Sequence, residues 1–197
     1  MRLFVALGLP EAVSTQLTGL IGGIPGAKWV PPENHHLTLR FIGEVAPWRA
    51  EEVDEALAGI RARPFDLTLQ GLGLFEKAGR INALWVGIER SEALLRLQAK
   101  IETALQRVGL DPERRRFAPH VTLARTERAP PDKLISFVQA HNLFRAPVMR
   151  VDAFCLFSSK LGKEQAIYVP EVEYPLAADG MQPAAWDGRA DPAAALG

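Results

Sequence analysis

An α+β fold in which one unit is used twice is what the sequence predicts, and three observations predict it. The frame His-apolar-Thr-apolar is written at His36-Leu37-Thr38-Leu39 and again at His120-Val121-Thr122-Leu123. Each copy lies in a run of strand character, 35–41 and 120–125, so His and Thr share one face and the apolar residues take the other. Around each copy, helical stripes and strand-like runs follow in the same order, offset by the 84 residues that separate the two histidines.

Residues 2–8 read as a first strand. Pro10 suits the first turn of a helix, and Val13, Leu17, Leu20 and Ile21 then share one helical face until Gly22, Gly23, Pro25 and Gly26 end it. Residues 28–30 are a short strand. The loop 31–34 delivers the chain into the first His strand, which Gly43 closes. A helix over about 48–61 turns Val53, Leu57 and Ile60 inward, and Pro64 stops it. Residues 65–69 alternate strictly as a strand, Gly71, Gly73 and Gly79 mark bends, and 81–88 is the next strand. A long helix over 91–108 carries Leu94, Leu97, Ile101, Leu105 and Val108 on one stripe, with Gly109 as its stop signal.

Arg114, Arg115 and Arg116 read as a solvated loop ahead of the second His strand. Pro130 and Pro131 open a shorter helix with Leu134, Phe137 and Val138 inward. Residues 148–157 and 165–173 are strands, the second interrupted by Pro170, which marks an edge or a bulge. From 177 onward the chain is rich in Ala, Pro, Gly and Asp without periodicity, so 177–197 is expected to be a loosely ordered tail.

Shifting the first half by 84 residues carries its helices and strands onto those of the second. The half-units are therefore 9–88 and 91–176, with strand 1–8 added, in one domain spanning 1–176. Such a duplication puts the two His-x-Thr faces in equivalent places. If the halves pack about a pseudo-twofold axis, those faces meet across a groove.

Composition narrows the function. The chain has 197 residues, 48% apolar and 23% charged, with zero formal net charge. That argues against gripping long nucleic acid by bulk charge, although recognition of one RNA end stays open. The single cysteine, Cys155, excludes an intrachain disulfide, fits a reducing cytoplasm and reads as a small core residue. The apolar N-terminus is too short before Pro10 to be a signal peptide or a membrane helix.

Two His-x-Thr faces have three chemical uses. The first is acid–base work at a phosphate: imidazole titrates near pH ~6.5, so one ring accepts a proton while the other donates one, and the threonine hydroxyls hydrogen-bond the non-bridging oxygens. The second is a metal site, which wants a third ligand that neither motif supplies, since Glu33 and Glu44 lie outside the strand core. The third is a binding module, for which 8% aromatic content offers no clear stacking motif.

Four stretches carry a resemblance: Arg2-Leu3-Phe4-Val5-Ala6-Leu7 with Leu9-Pro10; Trp29-Val30 with Asn34-His35-His36-Leu37-Thr38-Leu39-Arg40-Phe41-Ile42-Gly43; 75–85 with Gly79-Arg80; and Phe117-Ala118-Pro119-His120-Val121-Thr122-Leu123-Ala124-Arg125. Over 1–176 the sequence resembles the two-histidine phosphoesterase superfamily, and within it the RNA 2′,3′-cyclic phosphodiesterases, also called 2′–5′ RNA ligases. The resemblance implies a bilobal fold, two pseudo-twofold-related antiparallel sheets with helices outside and a central cleft. It implies metal-independent hydrolysis, without cofactor, of 2′,3′-cyclic phosphate at RNA 3′ ends to a 2′-phosphate, with reversible 2′–5′ ligation, as on tRNA halves. His36 would be the proton donor to the departing 3′ oxygen and His120 the proton acceptor from water, with Thr38 and Thr122 holding phosphate oxygens.

Arg125 matches the family's arginine after the second motif, but strict alternation puts it on the face opposite His120. Arg40 lies on the His36 face by the same rule and is the second candidate for the phosphate. A cytoplasmic monomer without membrane or obligate protein partner is expected. The rival readings are a non-catalytic RNA-end-binding protein and a phosphodiesterase for another small cyclic or 2′,5′-linked nucleotide.

Overall fold

The computed structural model describes residues 1–162 and 166–177, so the expected tail lies outside the described residues from 178 onward. Strand β1 (Arg2–Gly8) is buried along its whole interior. Helix α1 (Glu11–Thr18) turns Val13 and Leu17 inward and ends at Gly19, short of the apolar stripe. Leu20 still reaches the core from the turn that follows. Strand β2 (Lys28–Trp29) and a 3₁₀ turn (Pro32–Asn34) lead into β3 (His36–Glu44), which carries the first motif.

Helix α2 (Pro47–Ala58) is followed by β4 (Phe65–Leu67), β5 (Leu69–Lys77) and β6 (Arg80–Ile88). Helix α3 (Glu92–Arg107) buries Leu94, Leu97, Ile101 and Leu105, as its stripe predicts, and the Ser91 side chain caps it by accepting from the Leu94 N–H at 3.2 Å. Burying each of these side chains contributes about 2 kcal/mol. The second motif lies in β7 (His120–Arg125), followed by α4 (Pro131–His141), β8 (Met149–Val151), β9 (Ala153–Leu161) and β10 (Ala166–Pro175).

Two strands differ from expectation. Residues 70–77, marked only as bends, form most of β5. Gly71 sits at φ 68° beside a register shift, and Gly73 lies under the indole of Trp85, where a Cβ would come within 2.2 Å of the ring. These glycines serve a bulge and a close approach inside a strand. The strand expected over 148–157 divides at Asp152. β8 pairs with β4 in a separate ribbon, whereas β9 enters the main sheet. Cys155 is half-buried in β9 between the core residues Phe154 and Leu156. Burial and then the Glu173 carboxylate push its thiol up to about 11. Pro170 does sit in an edge strand beside a register shift.

Among the described residues, all strand pairings are antiparallel. The strand order is β10-β9-β1-β3-β7-β6-β5, with β2 also on β7. β3 and β7 meet through one register pair, Leu37 with Val121, so two four-strand sheets hinge on the apolar residue that follows each motif histidine. The second halves of the units are exchanged. β5 and β6 follow β3 in the chain but extend from β7, while β9 and β10 follow β7 but reach β3 through β1. β7 is therefore flanked directly by a hairpin from the first half of the chain, and β3 has a hairpin from the second half one strand away, beyond β1.

Candidate active site

The Leu37–Val121 pair fixes the geometry of the site. In an antiparallel ladder, that register puts His36 next to Thr122 and Thr38 next to His120, all four on the face opposite the two buried apolar residues. They line one cleft of about 900 Å³. Each ring is oriented in the same way. His36 Nδ1–H donates to the Asn34 carbonyl at 2.7 Å, and His120 Nδ1–H donates to the Ala118 carbonyl at 2.7 Å. A carbonyl only accepts, so Nδ1 holds its proton and Nε2 is the atom left to exchange one.

Aromatic rings brace both imidazoles. Tyr168 meets His36 edge-on at 5.1 Å, and Phe4 lies 4.9 Å from it on the β1 side. Phe75 meets His120 edge-on at 4.7 Å, with Trp85 behind at 6.3 Å. Phe4 is only 3% exposed and also stacks on Phe157, so its role is packing. Asn34 adds a strut, since its side-chain amide donates to the Ala166 carbonyl at the start of β10.

The two arginine candidates separate because both His strands carry the same bulge. In β3 the partners of Val5 and Ala6 on β1 are Arg40 and Thr38, which leaves Leu39 extra. In β7 the partners of Leu84 and Trp85 are Ala124 and Thr122, which leaves Leu123 extra. An extra residue shifts the alternation by one. Arg125, put on the far face by strict alternation, is returned to the cleft. Arg40, put on the His36 face, is turned inward instead.

Arg40 is 9% exposed. Its Nε is 2.6 Å from a Glu102 carboxylate oxygen, its Nη1 donates to the Phe41 carbonyl at 2.6 Å, and its Nη2 donates to the Asp111 carbonyl. Glu113 lies 3.8 Å from Nη1. Arg40 borders the cleft, but its guanidinium is bound to the segment that leads into β7. Strict alternation puts Arg40 on the His36 face to serve phosphate, and the bulge instead commits its guanidinium to these partners.

Burial is the main cause that lowers the pKa of both motif histidines. The Arg125 cation pushes both further down, and His120 does the same to His36. Without an anion the pair is therefore biased toward neutral rings beside a fixed positive charge. That environment rewards a phosphate, whose negative charge favours protonation of one ring. His35 turns into the interior at 5% exposure, and burial lowers its pKa as well. Among the described residues, no three His, Cys, Asp or Glu side chains come together as a metal-binding cluster.

Sequence reasoning missed the bracing rings, the two orienting carbonyls and Phe41. Phe41 stands five residues after His36, as Arg125 stands five after His120. The 84-residue offset contained that signal.

A family model described as the 2′-5′ RNA ligase superfamily matches residues 21–163. The chain belongs to this superfamily. A relative from Thermotoga maritima, named RNA 2′,3′-cyclic phosphodiesterase, is 33% identical over 176 residues, covering 85% of this chain and 91% of its own length. One of the same name from Aeropyrum pernix is 44% identical over 108 residues, 54% of this chain and 61% of the relative. Among solved structures, TT0787 of Thermus thermophilus superposes with a TM-score of 0.76 at 26% identity, covering 89% of this chain and 98% of that one. The Escherichia coli LigT structure complexed with 3′-AMP, at TM-score 0.72 and 24% identity over 90% and 98%, shares the fold. The superfamily fold is thus the bilobal, mixed α/β arrangement of open antiparallel sheets and four helices seen here.

Proposed function

We propose that this superfamily member hydrolyses 2′,3′-cyclic phosphate at RNA 3′ ends to a 2′-phosphate. The observation that carries the reading is the pair of imidazoles oriented by one repeated device on a shared face, each with Nε2 left for proton exchange. The curated relatives' shared name supports the substrate class.

In this reading the cyclic phosphorus sits between the two His-x-Thr arms. His120 Nε2 takes the proton of the attacking water, the P–O3′ bond breaks, and His36 Nε2 gives its proton to the departing 3′ oxygen. The Thr38 and Thr122 hydroxyls donate hydrogen bonds to the non-bridging oxygens, and the Arg125 guanidinium offsets charge that accumulates on them. The assignment of donor to His36 and acceptor to His120 follows the family resemblance. Residues 1–176 act as one unit in this proposal, as a cytoplasmic monomer, and tRNA halves are among its RNA substrates.

The test is to incubate the protein with an oligonucleotide ending in a 2′,3′-cyclic phosphate and to locate the phosphate in the product. A 2′-phosphate is expected, at an unchanged rate in EDTA. Recovery of unaltered cyclic phosphate from a tight complex would make the protein an RNA-end binder. Loss of activity in EDTA with recovery on adding zinc would overturn the metal-free step.

The pH dependence has a defined sign. Both free-enzyme pKa values lie below the ordinary histidine value of ~6.5, because burial disfavours the imidazolium. The bell for kcat/KM is therefore expected to centre below pH ~6.5. Bound phosphate raises both values, so the bell for kcat should lie at higher pH. A kcat/KM bell centred well above pH ~7 would contradict the desolvated pair.

A further inference from the structure

The repeated bulge gives each arm a fourth cleft-facing position, and the two arms fill it differently. Beyond Thr122, at the end of the site next to His36, stands the Arg125 cation. Beyond Thr38, at the end next to His120, stands the ring of Phe41. Phe41 is 38% exposed and lines the cleft. The guanidinium of Arg2 lies over its ring at 5.1 Å. Phe117, Arg115 and Arg116, from the segment entering β7, border the same cleft. One end of the site is thus built for negative charge, and the other offers an aromatic plane with cations beside it.

Hydrolysis alone gives that second end little to hold. On the proposed reading, the cyclic-phosphate nucleotide departs from phosphorus through its 3′ oxygen on the His36 side, while the group activated by His120 is a water molecule. A ring presented beyond His120 faces whatever replaces that water.

We infer that Phe41, with Arg2, seats the base of a second nucleoside whose 5′ oxygen occupies the place of the attacking water. The inference rests on the proton roles proposed above for His36 and His120. In the forward step the 5′-OH loses its proton to His120, the O5′–P bond forms, the P–O3′ bond breaks, and His36 protonates O3′, leaving a 2′,5′-phosphodiester. In the reverse step His36 takes the 3′-OH proton, O3′ attacks phosphorus, the P–O5′ bond breaks and His120 protonates O5′. No oxidant, reductant or further reactant enters. A ring that stacks on a base face without reading its edge is tolerant of base identity, so the seat accepts any nucleoside.

The experiment compares two substrates in one preparation: adenosine 2′,3′-cyclic phosphate, which has no second nucleoside, and 2′,5′-linked adenylyl-adenosine, which has one. In Phe41→Leu, the ratio of kcat/KM for the dinucleotide to that for the cyclic mononucleotide is expected to fall about tenfold, the size of one lost base–aromatic stack. Phe41→Tyr should restore it. An unchanged ratio, or cyclic-mononucleotide turnover falling in the same proportion, overturns the inference and leaves the ring to the donor nucleotide or to packing. If wild-type protein hydrolyses the cyclic phosphate but does not cleave the dinucleotide, the inference fails and the proposed function stands. If it acts on neither, the inference fails, and the proposed function fails with it only when the oligonucleotide ending in a 2′,3′-cyclic phosphate is also left unopened.

Discussion

Replacing either His36 or His120 by alanine is expected to lower kcat by roughly 10²–10⁴, the usual size of one general acid or base. Substrate binding should change much less, because Thr38, Thr122 and Arg125 remain in the cleft. The two losses should not add. Each ring acts on one end of a single displacement, so removing the second from a variant that already lacks the first is expected to add little.

Folding has to be separated from chemistry. His36 packs against Phe4 and Tyr168, and His120 against Phe75, so truncation also opens space beside rings that hold the sheet. The substitutions His36→Gln and His120→Gln keep more of that volume while removing the titrating nitrogen. Single-turnover rates measured alongside thermal unfolding decide the matter. A low rate with near wild-type Tm supports catalytic roles, whereas turnover within tenfold of wild type in either variant would refute the acid–base pair.

How far the sequence could be read follows from which forces act locally. The His-x-Thr strands and the α3 stripe were legible because alternation and helical periodicity are written in adjacent residues, and Leu37, Leu39, Val121, Leu123, Leu94, Leu97, Ile101 and Leu105 are buried as expected. The placement of Arg40 and Arg125 was not, because one bulge at Leu39 and one at Leu123 reverse an inference that assumes unbroken alternation. Most of β5 was hidden by glycines whose reason lies in a partner strand, as Gly73 makes room for Trp85. Its hairpin with β6 turns through Ala78 and Gly79, both at positive φ, rather than through the Asn-Gly or Asp-Gly pair that advertises such a turn. The exchange of hairpins between the halves is non-local and leaves no mark on residue spacing. The orienting carbonyls of Asn34 and Ala118 belong to the backbone and have no residue signature at all.

Arg40 shows what the same bulge does for stability. Burial by itself raises the pKa of the Glu102 carboxyl. The Gln106 side chain, the Glu113 N–H and the Arg40 cation together reverse this and hold it below the usual carboxylate range. Removing the cation leaves Glu102 largely buried with a charge that only those neutral donors answer. Arg40→Met is therefore expected to destabilise the protein by about 3–5 kcal/mol, a fall in Tm of about 10 °C. Adding Glu102→Gln should recover part of the loss, because the stranded charge goes while its Glu113 and Gln106 contacts persist as neutral hydrogen bonds. That non-additivity is the signature of a charge pair and not of lost packing. The effect should also reach the chemistry. Arg40 holds the Asp111 carbonyl, and Glu102 holds the Glu113 N–H, on the segment whose Ala118 carbonyl fixes the His120 tautomer. Loosening that segment frees the ring to adopt the other tautomer, so Arg40→Met should lower kcat as well as Tm. A variant with wild-type Tm, or a double variant whose losses simply sum, would mean that the buried guanidinium is not what ties β3 to the approach of β7.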